Sequence, residues 1–144
     1  APALPRFREA LEAGAAGSEG PYWVLRVMAR LRADPEAVIP RLMRLTLPGM
    51  LPVERGVAAE LLENYAPGHL ELIPVLVRVL GDREEYVARA ALGTLRIFGP
   101  SAVPALEAAL KGPDPRARRR ALALLDEFRN GRSERGLKVP NEKD

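Results

Sequence analysis

Cysteine is missing from the 144 residues altogether, and histidine occurs once. The first absence removes disulfides, thiolate nucleophiles and thiolate metal ligands in one step. The second rules out a multi-histidine metal centre within one chain. No apolar run approaches the ~20 residues that a membrane-spanning helix requires. The N-terminus lacks the basic start and apolar block of a signal peptide, although a cleaved signal would leave no trace. The pattern of absences extends to motifs: no G-x-S-x-G elbow, Walker-type loop or dinucleotide fingerprint occurs. The expectation is a non-enzymatic cytoplasmic protein without cofactor or metal. Ala1 stands almost at the start of a helical pattern, as after loss of an initiator methionine or at a boundary within a longer chain.

What is present favours a packed core. Hydrophobic residues make up 47%, the usual share for a globular domain. Residues 1–111 carry 13 basic and 13 acidic side chains, whereas residues 112–144 carry 9 and 6, so the whole excess of +3 lies at the C-terminal end. Arg outnumbers Lys 19 to 3 and proline is frequent between helical patterns, as expected of a GC-rich or heat-adapted source.

The main signal is self-similarity. The segments ALPRFREAL, VIPRLMRL, LIPVLVRVL and AVPALEAAL share a proline after an aliphatic residue, at Pro5, Pro40, Pro74 and Pro104. A second pattern follows each. VARAALGTLRIFG (87–99) and ARRRALALLDEFR (117–129) superpose with a shift of 30, pairing Val87 with Ala117, Ala91 with Ala121, Leu95 with Leu125 and Phe98 with Phe128. Ala58, Leu62 and Tyr65 fall on the same template, as do Val24, Met28 and Leu31. Each set runs i, i+4, i+7, one stripe of an α-helix.

The spacing therefore predicts eight helices in four pairs. First helices are expected over about 4–13, 35–46, 69–80 and 100–111, and second helices over about 21–32, 53–65, 83–98 and 114–129. Asp34-Pro35, Gly99-Pro100 and Asp114-Pro115 read as helix openings. Gly81, Gly112 and Gly131 read as left-handed caps past helix ends. The shared prolines should bend their helices or mark where these truly begin. The repeats would occupy about 1–32, 35–66, 69–98 and 100–131, a domain of residues 1–131, followed by a polar basic tail over 132–144. A single pair cannot bury both its apolar faces, but a stack of pairs can.

On these residues the chain resembles HEAT-like repeats of the short type found in phycobilisome lyase-like proteins and many prokaryotic scaffold proteins. The pattern there is an acidic turn, then V-R-x-x-A-x-x-A-L-G, a second turn and A-V-P-x-L. Asp82 to Leu106 fit it best, through Val87, Ala91, Leu95, Gly99 and Ala102-Val103-Pro104, with Ala88 in place of the usual arginine. The resemblance implies an all-α fold, a right-handed α-α superhelix (solenoid) of about four HEAT-like helix pairs. It also implies a protein-interaction scaffold or adaptor whose second helices present the binding surface. The outward positions there are Tyr22, Arg26, Glu60, Glu63, Arg89, Arg96 and Arg119.

Individual residues point the same way. His69 follows Pro67-Gly68 at a helix start and has no catalytic partner nearby, so it reads as a loop or capping residue. Ser18, Ser101 and Ser133 fall at turns or in the tail, where hydroxyls cap or solvate. Glu84-Glu85 suits the positive end of a helix dipole, and the pair Tyr22-Trp23 suits packing or an interface. The apolar connector Leu47–Pro52 is expected to pack over a neighbouring pair, or to form a contact site if exposed. Arg116, Arg118, Arg119 and Arg120 cluster where a helix dipole disfavours cations. They read as a solvated terminal cap, a site for an acidic protein partner, or a nucleic-acid contact through arginine and phosphate. An accessory subunit of an enzyme complex is a further alternative, and an exposed solenoid end offers a route to self-association.

Overall fold

The structure, a computed structural model, describes Glu9 and residues 22–138, and of 132–138 the backbone alone. Of the expected first helix over 4–13 the structure describes Glu9 alone, which is helical and exposed; Pro5, Ser18 and residues 139–144 lie outside the described residues, and the side chain of Ser133 is likewise not described. Residues 22–138 form seven α-helices, and no described residue is in a strand: α1 (Tyr22–Arg30), α2 (Pro35–Leu45), α3 (Pro52–Leu61), α4 (Leu72–Val79), α5 (Glu85–Phe98), α6 (Val103–Leu110) and α7 (Pro115–Lys138). Single 3-10 turns, Leu62–Tyr65 and Gly99–Ala102, extend α3 and precede α6.

The predicted stripe is what α1, α3 and α5 bury, except that Leu31, expected on the stripe of α1, lies past that helix's end at Arg30 and is 63% exposed; in α7 the stripe residues Leu125 and Phe128 are only half-buried. In α5 the buried side chains are Val87, Ala88, Ala91, Thr94, Leu95 and Phe98. Thr94 satisfies its hydroxyl on the Ala90 carbonyl at 3.3 Å, one turn back. Consecutive helices pack as pairs, and the pairs then stack: α1 on α3 and α3 on α5 in one layer, α4 on α6 in the other. This is an all-α solenoid of stacked helix pairs. The core runs unbroken from Val24 to Leu124 through the middle of the stack.

The shared prolines serve two purposes. Pro74 and Pro104 fall in the first turns of α4 and α6, where the missing N–H has no intrahelical acceptor. They mark true beginnings. Pro40 lies inside α2, in a helix that starts earlier at Asp34-Pro35. The Arg41 guanidinium donates to the Ala37 carbonyl at 2.9 Å beside that proline.

The glycines expected to end helices behave differently. Among the described residues Gly99 is the glycine with positive φ, at 60°, and with ψ of −129° it takes a conformation essentially closed to other residues. Gly81 and Gly112 are not left-handed; α4 and α6 close instead with right-handed residues, Leu80 and Lys111. Gly81 is needed for space, since a Cβ there would lie 2.0 Å from Asp114 Oδ2. Gly131 sits inside α7, which continues to Lys138 because helix-compatible residues follow and no proline intervenes before Pro140.

Candidate binding surface

One face of the second helices is left open by the stack. In α3 and the 3-10 turn that extends it, this face carries Val53, Val57, Glu60 and Asn64, and in α5 the residues 33 further on: Tyr86, Ala90, Gly93 and Ile97. In α1 it carries Trp23, Arg26 and Arg30. None of these is buried, and Trp23 and Val53 are each 60% exposed. Tyr86 rests one ring edge on Gly56, where a Cβ would lie 2.8 Å from Cε2, so the ring is held while nearly half of it stays in solvent. The face is thus an aromatic and aliphatic strip edged by charge of both signs.

Beneath the turns that join the helices of each pair lies a network of arginines. Arg55, 5% exposed, reaches from α3 to the next turn and grips Asp82 with two prongs, Nε to Oδ2 at 2.6 Å and Nη2 to Oδ1 at 3.0 Å. Its Nη1 donates to the Met50 carbonyl at 2.5 Å, so the connector before α3 is tied down at that point. Arg78 donates to the Thr46 hydroxyl at 2.9 Å and to its carbonyl at 3.2 Å, linking α4 to the end of α2. Arg120 reaches back from α7 to the carbonyls of Leu80 and Asp82 at 2.5 and 2.6 Å and to Glu85 at 3.1 Å.

Burial alone would raise the Asp82 carboxyl, but hydrogen bonds from Arg55 and from the Glu84 N–H outweigh it and hold the group below its ordinary value. The same pair raises Arg55 further. A charge removed from water this completely is tolerable because it is paired with Asp82 and each of its three nitrogens donates a hydrogen bond.

Two stacked layers of short helix pairs, clamped turn to turn by an arginine and an aspartate, belong to a known class of repeat. Residues 39–126, more than half of the chain, match the family of HEAT repeats. The chain belongs to the HEAT repeat family. Neither the curated proteins nor the solved structures compared with it give a match.

Within this HEAT solenoid the clamp alternates. Arg55 stands three residues before Ala58, as Ala88 stands three before Ala91, so it fills the arginine place of the V-R-x-x-A pattern. Its own surroundings in the sequence do not single it out, although the register of Ala58 points to it. In the next repeat that place is Ala88, fully buried, and Arg120 supplies a backward-reaching clamp instead.

The expected surface residues divide accordingly. Tyr22 donates to Glu54, Arg96 pairs with Glu127, Arg118 donates to the Gly112 carbonyl at 2.7 Å, and Arg120 is the clamp just described. These four tie neighbouring segments together. Arg26, Glu60, Glu63, Arg89, Arg116 and Arg119 are exposed. The four-arginine cluster is therefore not one patch: Arg118 and Arg120 are engaged within the chain. Val53, Tyr86 and Ile97 were not singled out from sequence, since an apolar residue on a helix reads first as core.

Other expected features resolve simply. His69 meets Glu71 at 3.3 Å and the edge of Tyr65 with ring centres 5.9 Å apart, a local turn arrangement. The Tyr65 hydroxyl donates to the Ala33 carbonyl at 2.8 Å, and burial pushes its pKa up. Asp114 caps α7 through the Arg116 and Ala117 N–H groups at 2.9 and 3.4 Å. In the connector, Met50 packs on the core while Leu47 and Leu51 are exposed. Among the described residues no group of three His, Asp or Glu is placed to hold a metal. No helix among them is long and apolar enough to cross a membrane.

Proposed function

We propose that the chain is a non-enzymatic scaffold that binds a protein segment along its second-helix face. One observation carries this reading: the exposed strip of Trp23, Val53, Tyr86 and Ile97 bordered by Arg26, Glu60, Glu63 and Arg89. Aromatic residues held in place but left in solvent are the usual anchors of a protein interface, and a polar rim of both signs sets register rather than bulk affinity. HEAT repeats commonly serve as protein-interaction scaffolds, which supports the same direction. A phosphate track would need clustered cations, yet two of the four arginines from 116 to 120 are engaged within the fold.

The experiment is affinity capture from the source cell with the wild-type chain and with Val53→Ser/Tyr86→Ser. Specific proteins recovered by the wild type and lost with the variant support the reading. Recovery of nothing above background, or recovery unaffected by the two substitutions, removes it. Nucleic-acid binding that falls steeply with salt and with Arg116→Ala/Arg119→Ala would favour the alternative.

A further inference from the structure

The outer face of the fourth pair, α6 and α7, repeats apolar positions that are buried in the third pair. In the third pair Ile73, Leu80, Leu95 and Phe98 are 6%, 0%, 0% and 4% exposed. Thirty residues on, Val103, Leu110, Leu125 and Phe128 are all only half-buried, and Leu122 is 49% exposed. Together they floor a recess of about 330 Å³ whose rim carries Glu107 from α6 and Arg129 from α7. A repeat that closes a stack normally turns a polar face outward. This one presents a stacking face that no described residue covers.

We propose that a second copy of the chain docks on this face about a two-fold axis. Such an interface brings each surface patch against itself, so the patch must be self-complementary. This one is: apolar floor meets apolar floor, and Glu107 of each copy meets Arg129 of the other. Among the described residues Arg129 makes a loose ion pair, 3.5 Å from Asp126 with both side chains at least half exposed, and that contact is weak. A copy docked through its other end instead would leave the same face free at each step and build open-ended chains. Docking here is independent of what the second-helix face binds.

Sedimentation equilibrium over a concentration series tests it on the whole chain. The expected result is a discrete dimer of the 15.7 kDa protomer that dissociates on dilution. Leu122→Glu, at an exposed position, yields monomer with an unchanged helical circular-dichroism spectrum. Glu107→Arg and Arg129→Glu each weaken the dimer by at least roughly tenfold, and the double variant recovers it. A monomer at every concentration, an open-ended series of masses, a dimer indifferent to Leu122→Glu, or a double variant that fails to recover overturns the proposal.

Discussion

Arg55 and Asp82 lie 27 residues apart in sequence and join two successive repeats by a two-pronged ion pair with both side chains at least nine-tenths shut off from water. Removing one partner leaves the other charged, buried and unmatched. Arg55→Ala and Asp82→Ala should each destabilise the fold by about 3–5 kcal/mol. The double variant should cost less than their sum, because neither charge is then stranded. Urea unfolding of the four proteins measures this, and additive losses of under about 1 kcal/mol each would show the pair to be incidental.

The same pair makes stability depend on acidity. The folded Asp82 carboxyl titrates below its ordinary value of 3.8, so its contribution is complete above that pH and is lost as pH falls through the lower folded value. Glu127 beside Arg96 is shifted in the same direction, and so is Glu54 beside Tyr22, but both are partly exposed and add little. Melting temperature followed downward from pH 6 should begin to drop near pH 4, and Asp82→Asn should flatten much of that drop. An unchanged acid limb in the variant would contradict the assignment.

Helix positions were legible because each second helix repeats one i, i+4, i+7 stripe, and α2 and α5 begin and end within two residues of the predicted bounds. The clamps were not legible in the same way. Arg120 finds its acceptors 35 to 40 residues away, and no local pattern tells an arginine that folds back from one that faces solvent. Gly81 looked like a helix stop because glycine commonly is one, whereas its requirement comes from a carboxylate in the following repeat. Nothing in the sequence marks Tyr86 and Val53 as exposed, because apolarity and helical period do not reveal which side of a stack is covered.

Two glycines should respond in opposite senses to alanine. At Gly81 the new methyl would collide with the Asp114 carboxylate that caps α7, so Gly81→Ala should destabilise by roughly 1–3 kcal/mol. At Gly93, inside α5, nothing lies within 4 Å of where the methyl would sit, so Gly93→Ala should stabilise by about 0.5–1 kcal/mol through helix propensity. Thermal melts of the two variants decide it, and a shift of the same sign in both would be evidence against the described packing.

Leu95 is fully buried where α5 meets its neighbours. Leu95→Ala should cost about 2–5 kcal/mol from lost burial and the cavity left behind. The equivalent change at the half-buried Leu125, made in the monomeric Leu122→Glu background, should cost distinctly less. Equal losses in denaturant titrations would mean that the fourth pair is as well covered as the third.

Whether the second-helix face is where a partner binds can be read by site-specific photo-crosslinking in the source cell. The crosslinker is placed at residue 60 or 86 on that face, or at the exposed residue 108 on α6 as a control. Positions 60 and 86 should capture the same protein, and position 108 should not. Capture of that protein from position 108 alone, or of nucleic acid instead of protein from positions 60 and 86, would refute the assignment of this face.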